Sequence, residues 1–84
     1  MRIEETMGQR LVDLRKKARL SQRQLAREVG VPVATLQNWE HDRRVPGLMV
    51  GARLAKALGV SVEQLVANLV VGTKEELRQR RKRK

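Results

Sequence analysis

The sequence predicts an all-α fold, a compact five-helix bundle followed by a basic C-terminal tail, and three observations carry that expectation. Apolar residues recur at helical spacing in one segment after another. The pattern Ser/Thr-x-x-Gln/Glu, which starts a helix by reciprocal capping, precedes most of those segments, and glycines stand where several of them should end. Aromatic residues, which favour sheets, are scarce: Trp39 stands alone, while Leu, Ala, Arg, Lys, Gln and Glu dominate throughout. A chain of 84 residues has room for a single core, so the helices must share it.

Thr6 and Gln9 open the first helix, in which Met7, Leu11, Leu14 and Ala18 follow one another at steps of four, three and four and so lie on one face. Ser21 and Gln24 open the second, with Leu25, Ala26 and Val29 directed inward; Gln24 is read foremost as a capping group. Gly30 ends it, since glycine takes the left-handed conformation that stops a helix sharply. A third, short helix is expected from about Val33 to His41, with Leu36 and Trp39 inward and His41 well suited to a helix C-terminus. The basic loop HDRRVPG leads to a fourth helix from about Leu48 to Leu58, expected to bury Leu48, Ala52, Ala55 and Leu58 before Gly59. Ser61 and Gln64 open a fifth, carrying Val62, Leu65, Val66 and Leu69 toward a stop at Gly72. Beyond it Thr73 and Glu76 again stand in capping register, but Leu77 is the only apolar anchor, so residues 73–84 are expected to be a nascent helix fraying into a disordered arm. The organisation is thus an N-terminal arm at 1–5, a domain at 6–72 and a basic tail at 73–84, without internal repeats.

The formal net charge of +10 is shared equally, +5 in residues 74–84 and +5 in the remainder, so the body is basic even without its tail. A field of that sign favours polyanions. No stretch reaches the roughly 18 apolar residues of a membrane span, and MRIEETMGQR lacks the apolar centre of a signal peptide; a cytoplasmic protein with no membrane partner is expected. There is no cysteine and a single histidine, so no disulfide framework, thiolate site or zinc centre is expected, and no cofactor or small-molecule ligand. Nor does the chain read as an enzyme: it lacks a phosphate-binding glycine loop and a nucleophile with its base, and Glu40 has no catalytic partner in view.

Residues 21–41, SQRQLAREVGVPVATLQNWEH, are the informative unit: a helix, a tight turn at glycine and a second helix with an outer face of its own, the layout of a helix-turn-helix. Ala26 is small enough to let the two helices cross closely while Val29, Val31 and Leu36 fill the angle between them. Together with LRKKARLSQRQLAREVGV, the pair Trp39–Glu40, the RRVP loop and LAKALGVSVEQL, this run resembles the Cro/repressor (Xre) family of helix-turn-helix domains from Leu11 to Leu69, about seven tenths of the chain.

The resemblance implies a five-helix bundle with the helix-turn-helix at its centre, double-stranded DNA as partner, and homodimers on palindromic operators. It places Gln22 at the start of the second helix, against the DNA backbone. It has the third helix present Val33, Ala34, Gln37 and Asn38 to base edges, with Thr35 near a phosphate or a thymine methyl; Asn and Gln suit adenine, and Val, Ala and Thr suit thymine. Val33 serves equally well as a core residue. Arg23, Arg43 and Arg44 are candidates for phosphate, and Arg15 and Glu40 for a structural ion pair. Pro32 departs from the family, standing where Ser or Thr usually caps the third helix, at a cost of about 1 kcal/mol of capping. A second class of function is an interaction module, an antitoxin or coactivator-like adaptor, although after Val71 only Leu77 could anchor a protein partner. The charges of the RQRRKRK run read first as nonspecific nucleic-acid affinity and second as an inert, solubilising tail.

Overall fold

The computed structural model describes residues 5–70 and 72–82, the side chains of 80–82 excepted. The expected arm at 1–5 therefore lies outside the described residues save for Glu5, as do the last two residues of the tail. Six helices follow in order: α1 (Met7–Lys17), α2 (Gln22–Val29), α3 (Val33–Glu40), α4 (Leu48–Leu58), α5 (Val62–Val66) and α6 (Lys74–Lys82).

The expected starts are built as reciprocal capping boxes. Thr6, Ser21 and Ser61 each accept from the backbone of the residue three on, and Gln9, Gln24 and Gln64 return the bond to the cap backbone. Thr73 and Glu76 do the same ahead of α6. Gly30 and Gly59 end α2 and α4 in the left-handed conformation, at φ 85° and 74°.

Each of the first five helices contributes one wholly buried leucine, Leu11, Leu25, Leu36, Leu54 and Leu65, and these meet in a single core with Met7, Ala26, Val29, Trp39, Ala55 and Leu58. α1 packs on α3 and α5, and α2 on α3 and α4, with α4 against α5. Ala26, Val29 and Leu36 are buried in that core, and Val31 packs against it.

The fourth and fifth helices differ from expectation in orientation and length. The inward stripe of α4 is set by Leu54, Ala55 and Leu58, and at 100° per residue Ala52 falls to one side of it and is exposed; Leu48 lies close to the angle of Ala55 but is the first residue of the helix, two turns before it, and is 84% exposed. α5 stops at Val66 rather than running to Gly72, since Ala67 is extended and Asn68 left-handed, and Val62 and Val66 stay about two-fifths exposed. Ala18, expected inward, is the exposed C-cap of α1.

The chain after α5 is held by α1. Arg10 donates to the carbonyls of Gln64 and Ala67, at 2.6 and 2.9 Å, so it satisfies acceptors at the end of α5 while pairing with Glu5. The Glu5 carboxylate, foremost through its hydrogen bond, raises the guanidinium above its ordinary pKa. Thr6 and Val70 form an isolated parallel bridge in which the Val70 N–H donates to the Glu5 carbonyl at 2.9 Å. The tail then continues as α6, with Leu77 buried beside a cleft shared with Thr6, Gln9 and Asp42.

Candidate nucleic-acid interface

α3 buries Leu36, Trp39 and Glu40 and turns its other residues outward. Ala34 is exposed, while Val33, Thr35, Gln37 and Asn38 are half-buried, and Val33 packs in part against the core. The turn that aims this face is tight: the N–H groups of Gly30 and Val31 both donate to the Ala26 carbonyl, at 2.8 and 3.0 Å. Pro32 supplies no side-chain cap, but its carbonyl accepts from Thr35 and Leu36 and its extended ψ of 149° directs the chain into the helix.

Glu40, with its side chain 3% exposed, is the fixed point behind the outer face. Arg15 of α1 approaches it through Nε at 2.7 Å and Nη2 at 3.3 Å, the expected ion pair in two-pronged form, and sends Nη1 to the Leu20 carbonyl. Gln22 donates its Nε2 to Glu40 Oε1 at 2.8 Å, and Gln37 donates its Nε2 to Gln22 Oε1 at 3.2 Å. Gln22, expected from the sequence to face the DNA backbone, is therefore half-buried and bonded on two sides at the first turn of α2.

Arg23 is exposed beside Gln22, and Arg43 and Arg44 are exposed just beyond α3. The N–H groups of both arginines donate to the Asn38 carbonyl, and Arg43 Nη1 lies 3.4 Å from Asn38 Oδ1. The cations thus flank α3 at two places, the start of α2 and the loop after α3.

Asp42 is a part of the site that sequence reasoning missed. Buried, with φ +59°, it accepts from the Thr6 hydroxyl at 2.6 Å and from the Gly8 N–H at 2.9 Å, while its own carbonyl accepts from the Lys74 N–H at 2.8 Å. It fixes the root of the Arg43–Arg44 loop to the starts of both α1 and α6. A short polar side chain that tolerates the left-handed region was the only signal available. Among the described residues no cluster of His, Cys, Asp or Glu could hold a metal ion.

A helix braced from behind by an ion pair, tied by a glycine turn to a second helix and flanked by exposed arginines defines a helix-turn-helix bundle, a class suited to laying one helix in a major groove. The pattern described as helix-turn-helix matches residues 11–65, and the chain belongs to that family in its Cro/repressor form. It is similar to the immunity repressor protein of Bacillus phage phi105, 38% identical over 61 residues, which are 73% of this chain and 42% of that protein, so it spans less than half the length of this relative. Among solved structures it resembles the restriction-modification controller protein C.AhdI from Aeromonas hydrophila, at 33% identity and TM-score 0.69 over 71% of this chain and 91% of that one. It also resembles the P22 c2 repressor in complex with a synthetic operator, at 31% identity and TM-score 0.71 over 76% and 97%.

Proposed function

We propose that the protein is a transcriptional regulator that binds double-stranded DNA sequence-specifically, with α3 in the major groove. The observation that carries this reading is the face of α3 itself: polar and small side chains left outward by a helix whose opposite side is locked in the core. Val33, Ala34, Thr35, Gln37 and Asn38 are its base-reading candidates, and Arg23, Arg43, Arg44 and the remaining hydrogen-bonding capacity of Gln22 its phosphate candidates. The operator-bound state of the similar P22 c2 repressor supports the same assignment. Such a protein works where the DNA is, in the cytoplasm, and no described helix is long and apolar enough to cross a membrane.

The operator-bound form is a homodimer that sets two α3 helices about 34 Å apart in successive grooves. Among the described residues the large apolar side chains left exposed, Leu48, Met49, Val62 and Val66, all belong to α4 and α5, which supports those helices as the self-contact surface. Asp at both Leu48 and Met49 should weaken dimerisation, read by sedimentation equilibrium, and leave helix content unchanged.

A random-sequence binding selection near physiological salt tests the function. An enriched palindrome, relaxed at one position by Asn38→Ala, is the expected result. Recovery of no motif would sink the regulator reading.

A further inference from the structure

We propose that Gln37 determines specificity for a base that carries an exocyclic amino group in the major groove, adenine first and cytosine second, and against guanine and thymine. The inference rests on the reading of α3 as the base-contacting helix and adds which edge one of its residues accepts.

The argument is one of hydrogen-bond polarity. A guanidinium only donates and a carboxylate only accepts. Glu40, buried and held by Arg15 from α1, therefore offers Gln22 nothing but acceptor oxygen, and Gln22 must meet it with its NH2 group. A planar amide that turns its nitrogen one way turns its oxygen the other, so Gln22 Oε1 faces α3 and needs a donor there. Gln37 supplies it through Nε2, at 3.2 Å. The same step repeats at Gln37: its nitrogen is held inward and Oε1 becomes the outward atom. Turning the first amide over would set its oxygen against the Glu40 carboxylate, so the orientation is transmitted from a buried ion pair to the outer face of α3.

In the major groove guanine shows only acceptors, N7 and O6, and thymine shows O4 and a methyl group. An outward Oε1 repels both. Cytosine offers the N4 amino group, and adenine offers N6 together with N7, which the second hydrogen on Nε2 can reach, so adenine takes two bonds and cytosine one. Asn38 has no such anchor. Its oxygen meets, among the described residues, the exposed Arg43 at 3.4 Å.

The test compares the binding selections of the whole chain, Gln37→Ala, Gln22→Ala and Gln22→Met, each checked for an unchanged melt. The position whose preference Gln37→Ala erases should be adenine, or cytosine, in the wild type, with guanine there weakening binding roughly ten-fold or more. Either change at Gln22 frees the Gln37 amide to turn, so discrimination at that position should fall to about three-fold or less while overall affinity drops uniformly and the Asn38 position keeps its preference. Guanine or thymine at the wild-type position overturns the proposal, as does full discrimination retained in both Gln22 variants. A clear motif in which Gln37→Ala alters nothing also overturns it but leaves the regulator reading standing, whereas the absence of any motif removes that reading first.

Discussion

Gly8 and Asp42 show how much of this fold hangs on single atoms. A Cβ at Gly8 would lie 2.5 Å from the Glu40 carbonyl, 2.8 Å from that of Trp39 and 2.7 Å from Asp42 Oδ1; two of those atoms are backbone and cannot swing away. Gly8→Ala is expected to destabilise by about 1–3 kcal/mol in urea unfolding. Asp42→Ala removes the acceptor of one buried and one part-buried donor and asks an alanine to hold a left-handed φ, so a loss of about 2–4 kcal/mol should follow. Asp42→Asn, which keeps one oxygen and tolerates that φ, should lose clearly less. Glu40→Ala leaves Arg15 charged and largely buried, at a cost of about 3–5 kcal/mol in the same assay. The Arg15–Glu40 pair was readable through the family resemblance. Asp42 was not, because its carboxylate partners lie 34 and 36 residues away and nothing local marks it.

At the scale of the element, caps and glycine stops are the most legible features, since each is decided within a few residues: Ser21 and Gln24 need only one another and one turn of backbone. Faces and lengths are decided elsewhere. Leu48 reads as core by spacing alone but, as the first residue of α4, stays exposed, and α5 ends early where Ala67 turns extended and Asn68 left-handed, the carbonyls of Gln64 and Ala67 being taken by Arg10, more than fifty residues upstream. Pro32→Ser tests the odd cap. Gaining a hydroxyl cap at about 1 kcal/mol and losing proline's restriction of the unfolded chain at about half that, the variant should melt slightly higher. α6 should respond to acid. Arg78, and then Gln79, hold the Glu75 carboxylate below its usual range, and the Thr73 backbone, then its hydroxyl, does the same for Glu76. Both pKa values are lowered in the folded helix, so the stabilisation is complete above the ordinary carboxylate value and is lost as pH falls through the lowered ones. Backbone amides of α6 should therefore lose exchange protection in acid before those of α2.

For the whole molecule, the +10 charge predicts affinity that falls steeply with salt, by a log–log slope of about 0.9 for each phosphate neutralised. Replacing Arg80, Arg81 and Lys82 by glutamine, which spares Leu77 and its docking, should flatten that slope and leave the ranking of operator sequences unchanged. The bridge between Thr6 and Val70 has a consequence for the order in which the protein assembles. It closes a loop of roughly sixty residues around the contacts among α1 to α5, and so long a closure gains nothing until the inner helices have already met. The folding nucleus then lies among α1 to α4, and the clasp at residues 5, 6, 10 and 70 forms on the downhill side of the barrier. Arg10→Met should accordingly hasten unfolding while leaving the refolding rate almost untouched, so that the clasp governs how long a folded molecule lasts rather than how quickly it forms.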